Sequence, residues 1–249
     1  MSLRVRGEKM TLVFEVSSNI AMFRKGYTTT SMVSYPFLTP TAAAGVIGAI
    51  TGIDNGANEQ ADSAQFWEEM QGTRIGISIG APLSWFTTAV NLLKFKNRNG
   101  DMREHIQPKH QFVKNPLYRV YVNGGKIYDR LKTRLEQGEC VYTPYLGVAY
   151  AVADVKFIGE ISEVEIEDTP VEVNSLIPVF EGMSIDISRS TSVFREVVPF
   201  ELNSQRNFVK SVPVLYSGKG SKEPIVIREK GKLDISRVGE ENVAWFDRW

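Results

Sequence analysis

The sequence predicts an α+β fold: a βαββαβ unit with a basic insertion between its middle strands, followed by a smaller β-rich lobe. Three observations carry this prediction. Strand-like and helix-like patterns alternate through the first 159 residues in the order strand, helix, strand, strand, helix, strand. The second and third strands are separated by a cation-rich segment with an Asn-Gly-Asp centre at residues 99–101, the best short turn signal in the chain. After Gly159 the composition shifts to short apolar runs punctuated by Pro and Gly.

Residues 11–16, TLVFEV, read as the first strand. A polar segment follows, and then a helix beginning at Pro40, with the Thr39 hydroxyl placed to cap a free N–H and the proline suited to the first helical position. Ala43, Val46, Ile47, Ile50 and Ile53 share one face of that helix, while Thr41, Gly45, Gly48, Ala49 and Gly52 share the other. A glycine inside a helix costs roughly 1 kcal/mol relative to alanine. Gly45 and Gly48 therefore predict a close approach, by a strand or by a ligand. A phosphate-bearing ligand suits the unpaired N–H groups of a helix start, with Arg24, Lys25 and the hydroxyls of Thr28, Thr29, Thr30, Ser31 and Ser34 just upstream. A capped core helix after an ordinary polar loop is the alternative.

Residues 54–62 are polar and turn-like, and residues 64–70 are helical, with Phe66, Trp67 and Met70 as core. RIGISI, residues 74–79, is the second strand, and LSWFTTAVNLLKF continues it into an extended arm. LYRVYV, residues 117–122, is the third strand; Gly124-Gly125 is a turn, residues 126–137 form a helix ending at Gly138, and residues 141–157 supply a further strand or two. This is the element order of a ferredoxin-like domain over residues 1–159, with the basic hairpin at about 90–117. Residues 160–249 form the second lobe, in which ISEVEIEDTPVEV, SVFREVVPF, NFVKSVPVLYS and EPIVIRE are strand-like. The last nine residues, ENVAWFDRW, carry two tryptophans that predict packing on their own chain, with a docked partner as the alternative.

At 43% apolar and 23% charged residues over 249 positions, the composition is that of a globular protein able to build a core without disulfides. No apolar run is long enough to span a bilayer, and the opening MSLRVRGEKM leads into a strand rather than a signal-peptide core, so a cytoplasmic, membrane-free protein is expected. The single cysteine, Cys140, excludes a disulfide framework and reads as a buried thiol. The 29 Lys and Arg balance 29 Asp and Glu, yet residues 94–134 hold eleven bases against three acids and residues 160–196 nine acids against two arginines. Such separation predicts a polyanion-binding region and a separate protein-facing surface, unless solvated charges simply cluster.

No metal or cofactor is expected. The two histidines, His105 and His110, lie five apart without an HExxH frame, and no GxSxG elbow, Walker loop or dinucleotide fingerprint is present. Metal-independent acid–base cleavage of RNA is the remaining enzymatic reading, with Lys109 and His110 as its candidates; an ordinary phosphate contact is the plainer role for that pair. Lys94, Lys96, Arg98, Arg103, Lys109 and Lys114 can neutralise phosphates, while Phe95, Phe112 and Tyr118 can stack unpaired bases. Single-stranded RNA suits this mixture better than duplex DNA, because no recognition helix carries the cations.

Taken in order, FRKGYTTTSMVSYPFLTPTAAAGVIGAITGI, KNPLYRVYV and TPYLGVAYAVADVKFIGEI resemble the Cas-five family, the CRISPR-associated RAMP-type subunit of type I Cascade, and most closely its I-B branch. The resemblance spans roughly the first two-thirds of the chain. It implies a ferredoxin-like body with a hairpin thumb that holds the 5′ handle of the CRISPR guide RNA and caps a backbone of Cas-seven subunits, in antiviral defence or guided transposition. The large Cascade subunit docks nearby, and target DNA is met indirectly, where the thumb crosses the guide–target duplex. Handle contacts are implied at Arg24, Lys25, Ser34, Tyr35, Thr39 and Thr41, on the thumb cations, and at the Tyr145-Leu146-Gly147 turn, where a side chain would obstruct RNA. One branch of the family cuts the guide precursor with a tyrosine at the end of the first helix and a Lys-His pair. Here that helix end reads Ile50-Thr51-Gly52. A non-catalytic subunit is therefore expected, with precursor cleavage supplied by a separate Cas-six endonuclease.

Overall fold

The computed structural model describes residues 9–29, 31–54, 66–93, 105–203, 205 and 207–247. Its strands of three residues or more are β1 (Lys9–Ser17), β2 (Arg74–Ile79), β3 (Trp85–Ala89), β4 (Lys109–Lys114), β5 (Leu117–Asn123), β6 (Asp154–Glu165), β7 (Val171–Val173), β8 (Val193–Leu202), β9 (Phe208–Ser217), β10 (Ile225–Glu229), β11 (Ile235–Val238) and β12 (Glu241–Ala244). Its α-helices are α1 (Pro40–Thr51), α2 (Phe66–Glu69) and α3 (Tyr128–Gln137).

Helix α1 starts where the Thr39-Pro40 pair predicts. The Thr39 hydroxyl accepts from the Ala42 N–H at 3.3 Å, and Gly52 ends the helix in the left-handed region at φ 75°. Helix α3 begins two residues later than expected and stops at Gly138, φ 66°. The main sheet runs β12-β11-β6-β1-β5-β2, with antiparallel neighbours throughout. Its four strands from the first two-thirds of the chain stand in the order fourth, first, third, second.

Strand alternation divides the sheet into two buried faces. Leu12, Phe14 and Val16 of β1, Ile75, Ile77 and Ile79 of β2, and Tyr118, Val120 and Val122 of β5 pack with α1 and α3 in the largest core cluster. On the opposite face Val13 and Tyr121 pack with Val238, Val243 and Trp245. That second face is covered because the C-terminal strand pair curls beneath the sheet and joins its far edge: Ile75 donates to the Phe246 carbonyl at 3.0 Å, and Phe246 donates back at 2.9 Å. A side chain at Gly76 would collide with Val243. Two polar networks lie on this face. Glu163 accepts from Arg74, from Thr11 at 3.0 Å and from Ser236 at 2.8 Å, with the Arg74 guanidinium 4.6 Å from the Trp245 ring centroid. Glu241 accepts from Arg119 at 2.8 Å, Tyr121 at 2.6 Å and Ser78 at 3.0 Å.

The expected boundary at residue 159 falls inside β6. Gly159 sits at a register shift, where Val13 faces Gly159 but Phe14 faces Phe157. The glycine marks a bulge in a continuous strand, not a linker. Val198, Phe200, Val212, Val214 and Tyr216 of β8 and β9 share the core cluster of α1, and Trp245 is fully buried on its own chain with its indole N–H bonded to Ser236 at 3.0 Å. Cys140, read as buried, is exposed just beyond the end of α3. No helix among the described residues is long and apolar enough to cross a membrane.

Candidate nucleic-acid interface

The extended arm predicted after residue 83 is a hairpin at its base. β3 pairs with β4 from Trp85 opposite Val113 to Ala89 opposite Lys109, and the same register continues to Leu92 opposite Ile106 and Leu93 opposite His105. Every residue of β3 is exposed, so the strand stands clear of the body on both faces. Lys94, Lys96, Arg98 and Arg103, with Phe95 and the Asn-Gly-Asp turn, lie outside the described residues.

Two further segments meet the base of this hairpin. The first runs from Met22 to Tyr35, with Phe23 and Arg24 paired to Tyr35 and Ser34. Met32 is clipped to the free edge of β4, donating to the Lys109 carbonyl and accepting from the Gln111 N–H, both at 2.9 Å. The second is the loop that carries Tyr145, Gly147 and Tyr150. The Leu146 carbonyl accepts from the Met22 N–H at 3.1 Å, and a Cβ on Gly147 (φ 85°) would collide with the Met22 carbonyl. Glycine is required at 147 by the chain's own backbone, not by a ligand.

The structure brings together Arg24, Lys25, Ser34, Tyr35, Lys109, His110, Tyr145 and Gly147, but gives them different roles. Ser34 is buried and satisfied within the chain, accepting from the Phe23 N–H at 3.0 Å and donating to the Tyr35 carbonyl at 2.7 Å. Lys25 is paired with Glu196 at 2.6 Å and lies 5.3 Å from the Tyr35 ring centroid, so its charge is answered internally. Burial and the Glu196 carboxylate raise the Tyr35 phenol above its usual range. Thr39 serves as the helix cap and lies 3.1 Å from the Thr41 hydroxyl. Arg24, Lys109 and Lys114 remain exposed and without an ion pair among the described residues; Arg24 donates to the Thr28 carbonyl at 2.7 Å.

Phe112 and Tyr118, read as base stackers, are buried and unavailable. Phe112 instead supports two exposed rings absent from the sequence reading. Phe86, directly across the ladder, stacks on it at 5.4 Å between centroids and 24° between planes, and Tyr150 meets it edge-on at 6.2 Å. Phe86 is recognisable only once its register opposite Phe112 is known, and nothing local in the sequence signals Tyr150.

His110 lies two residues from Phe112 on the same side of β4, with Lys109 on the other. The imidazole is 3% exposed, and neither ring nitrogen has a hydrogen-bond partner. Burial, reinforced by the nearby Arg24 charge, lowers its pKa and holds it neutral. An unsatisfied buried polar group costs about 1–3 kcal/mol.

The charge separation along the sequence largely cancels in the fold. Of the nine acids in residues 160–196, seven meet bases: Glu160 with Lys132, Glu163 with Arg74, Glu167 with Lys230, Glu172 with Arg189, Glu181 with Lys232, Asp186 with Arg228 and Glu196 with Lys25. Within the basic run, Arg119, Arg130, Lys132 and Arg134 are likewise paired with carboxylates. Among the described residues, the cations without an ion pair at the hairpin base are those of Arg24 and β4. The small-residue face of α1 remains open at Gly45, where a Cβ would meet nothing within 4 Å, so no strand among the described residues explains that glycine.

Comparison with known proteins defines the class: residues 11–180 match the family described as CRISPR-associated protein (Cas_Cas5). The chain belongs to that family. No curated protein matches it. A crystal structure of a CRISPR protein from Archaeoglobus fulgidus is similar at a TM-score of 0.54 and 13% identity, over 94% of this chain and 98% of that one, which shows a shared fold. A chain of a CRISPR RNA-guided surveillance complex is similar at 0.47 and 15%, over 88% of this chain and 90% of that one. A chain of the Type III-B Cmr-beta complex bound to cognate target RNA and AMPPnP is similar at 0.46 and 11%, over 88% and 86%. Family and fold together identify a CRISPR-associated protein.

Proposed function

We propose that this chain is a non-catalytic, guide-RNA-binding subunit of a type I Cascade of the I-B kind. It holds the 5′ handle of the CRISPR guide RNA, caps a Cas-seven backbone beside the large subunit, and meets target DNA only through the assembled complex. The observation that carries this reading is the placing of cations: Arg74, Arg119, Lys132 and Arg134 of the body are answered by carboxylates, whereas among the described residues Arg24, Lys109 and Lys114 stand exposed and without an ion pair around the base of a projecting hairpin. The strand order supports a ferredoxin-like body, and the hairpin is read as its thumb. The usual open sheet face is covered by the C-terminal strands, which favours the hairpin base over the sheet as the RNA surface. The I-B assignment rests on the order of the three resembling segments.

The absence of catalysis is part of this proposal. Lys109 is exposed and His110 buried on alternate faces of β4, so the pair does not converge on one phosphate. Thr51, at the helix end where the processing branch has a tyrosine, is buried and donates to the Ile47 carbonyl at 2.7 Å.

The test is to express the chain with its genomic neighbours, isolate the complex and sequence the RNA it retains. One defined 5′ end is expected; an assembled complex devoid of guide RNA would sink the reading. Incubated with repeat RNA in EDTA, the purified chain is expected to leave the RNA intact. Cleavage that His110→Ala abolishes would establish the endoribonuclease instead.

A further inference from the structure

We infer that Phe86 and Tyr150 form a stacking subsite for an unpaired base of the bound RNA, built on Phe112 beside His110. The inference rests on the RNA-binding reading above and names the residues that take a base.

Both rings are substantially solvent-exposed, Phe86 at 38% and Tyr150 at 57%, although they come from different segments and converge on one buried ring. The support is rigid: Phe112 sits in a three-stranded ladder between β3 and the Ile20–Ala21 strand, so neither exposed ring needs reordering to present a face. An exposed aromatic platform on a fixed strand pair is what a sequence-tolerant stack on an unpaired base requires, since every base has a π-face.

Two features point to a nucleotide over an apolar protein segment. Among the described residues, cations without an ion pair lie around the platform, Lys114 two residues from Phe112 on the same side of β4 and Arg24 beside His110, where they can contact the phosphates on either side of a stacked base. His110 is buried with both ring nitrogens unpartnered, an unmet donor and acceptor 6.1 Å from the Phe112 ring. Those unmet groups make the floor of the platform polar, which suits a nucleobase better than an aliphatic side chain.

The experiment compares binding of the full chain to an oligoadenylate RNA and to an abasic oligomer of equal length, which keeps the phosphates and removes the bases. Phe86→Ala and Tyr150→Ala are each expected to weaken oligoadenylate binding by about five- to 150-fold, the range for losing one base–aromatic stack, and to leave the abasic oligomer unaffected. Phe86→Tyr and Tyr150→Phe should restore binding. Both positions are exposed, so urea unfolding should match wild type; if Phe86→Ala disturbs folding, the Tyr150 pair decides alone. Wild-type affinity in both alanine variants overturns the subsite and leaves the RNA-binding reading standing, whereas a wild-type chain that binds neither polymer overturns that reading itself. Equal loss for both polymers assigns the rings to the fold, and retained RNA affinity with lost assembly assigns them to a protein partner; either outcome overturns the proposal.

Discussion

The body and the hairpin treat exposed sheet edges in opposite ways. In the body the sheet closes through Ile75 and Phe246, and the polar groups on its inner face are tied into two carboxylate-centred networks. In the hairpin the outer edge of β3 has no strand beside it among the described residues, and residues 81–93 contain no charge to guard it. The difference teaches that one basic run in the sequence is split between two settings. Arg119, Arg130, Lys132 and Arg134 are paired with carboxylates, while Lys109 and Lys114 are exposed and without an ion pair among the described residues, which is what the proposed RNA contact requires.

The comparison breaks most visibly if the inner network is not what secures the closed sheet. Arg74 bonds Glu163 at 2.5 Å and Asp234 at 2.6 Å, and the Glu163 side chain is almost fully buried. Arg74→Ala leaves that carboxylate without its ionic partner, for which a loss of about 3–5 kcal/mol is expected in urea unfolding. RNA affinity of the folded fraction should not change. A loss below about 1 kcal/mol would place the network among surface pairs of little consequence and remove the distinction between the two regions.

How far the sequence revealed these regions follows from the range of the signal. TLVFEV, RIGISI, LYRVYV and SVFREVVPF declare themselves by local alternation, and Thr39-Pro40, Gly52 and Gly138 mark helix ends by local backbone chemistry. The closure at Phe246 joins residues more than half the chain apart and leaves no local pattern. Gly159 was legible as a break but not as a bulge, because a glycine after an apolar strand and before an acidic run serves a linker equally well. Arg24, Lys25, Ser34, Tyr35 and Lys109, expected to meet the handle, stand in one neighbourhood. Ser34 and Lys25 prove to be internally satisfied, since a sequence does not show whether Glu196 or a phosphate answers an ammonium group.

A smaller effect sharpens the division of cations. Lys109→Ala with Lys114→Ala should lower RNA affinity and reduce the slope of log affinity against log salt by about 1.4, two phosphate contacts at roughly 0.7 each on a single strand. Thermal stability should be unchanged. Arg130→Ala, removing a cation paired with Glu69 at 3.5 Å in the body, is the control and should leave both affinity and slope as they are. If Arg130→Ala shifts the slope as the hairpin variant does, the two populations are one field and the contrast between body and hairpin is lost.

The smallest effect separates the unpartnered His110 imidazole from the two carboxylate-centred networks of the body. Burial and Arg24 hold the His110 pKa below its ordinary 6.5 in the folded chain, whereas the unfolded chain titrates normally. As pH falls through that ordinary value, the unfolded state takes up a proton that the native state refuses, so stability declines until the folded pKa is reached and then declines no further from this source. Above the ordinary value the residue contributes no pH dependence. His110→Leu removes the titration and the unmet hydrogen-bonding groups together, so its urea midpoint should fall less than that of wild type between neutral and mildly acidic pH. Parallel acid profiles for the two proteins would mean that His110 is protonated as readily in the fold as out of it, and that its burial at the hairpin base imposes no cost on the charged form.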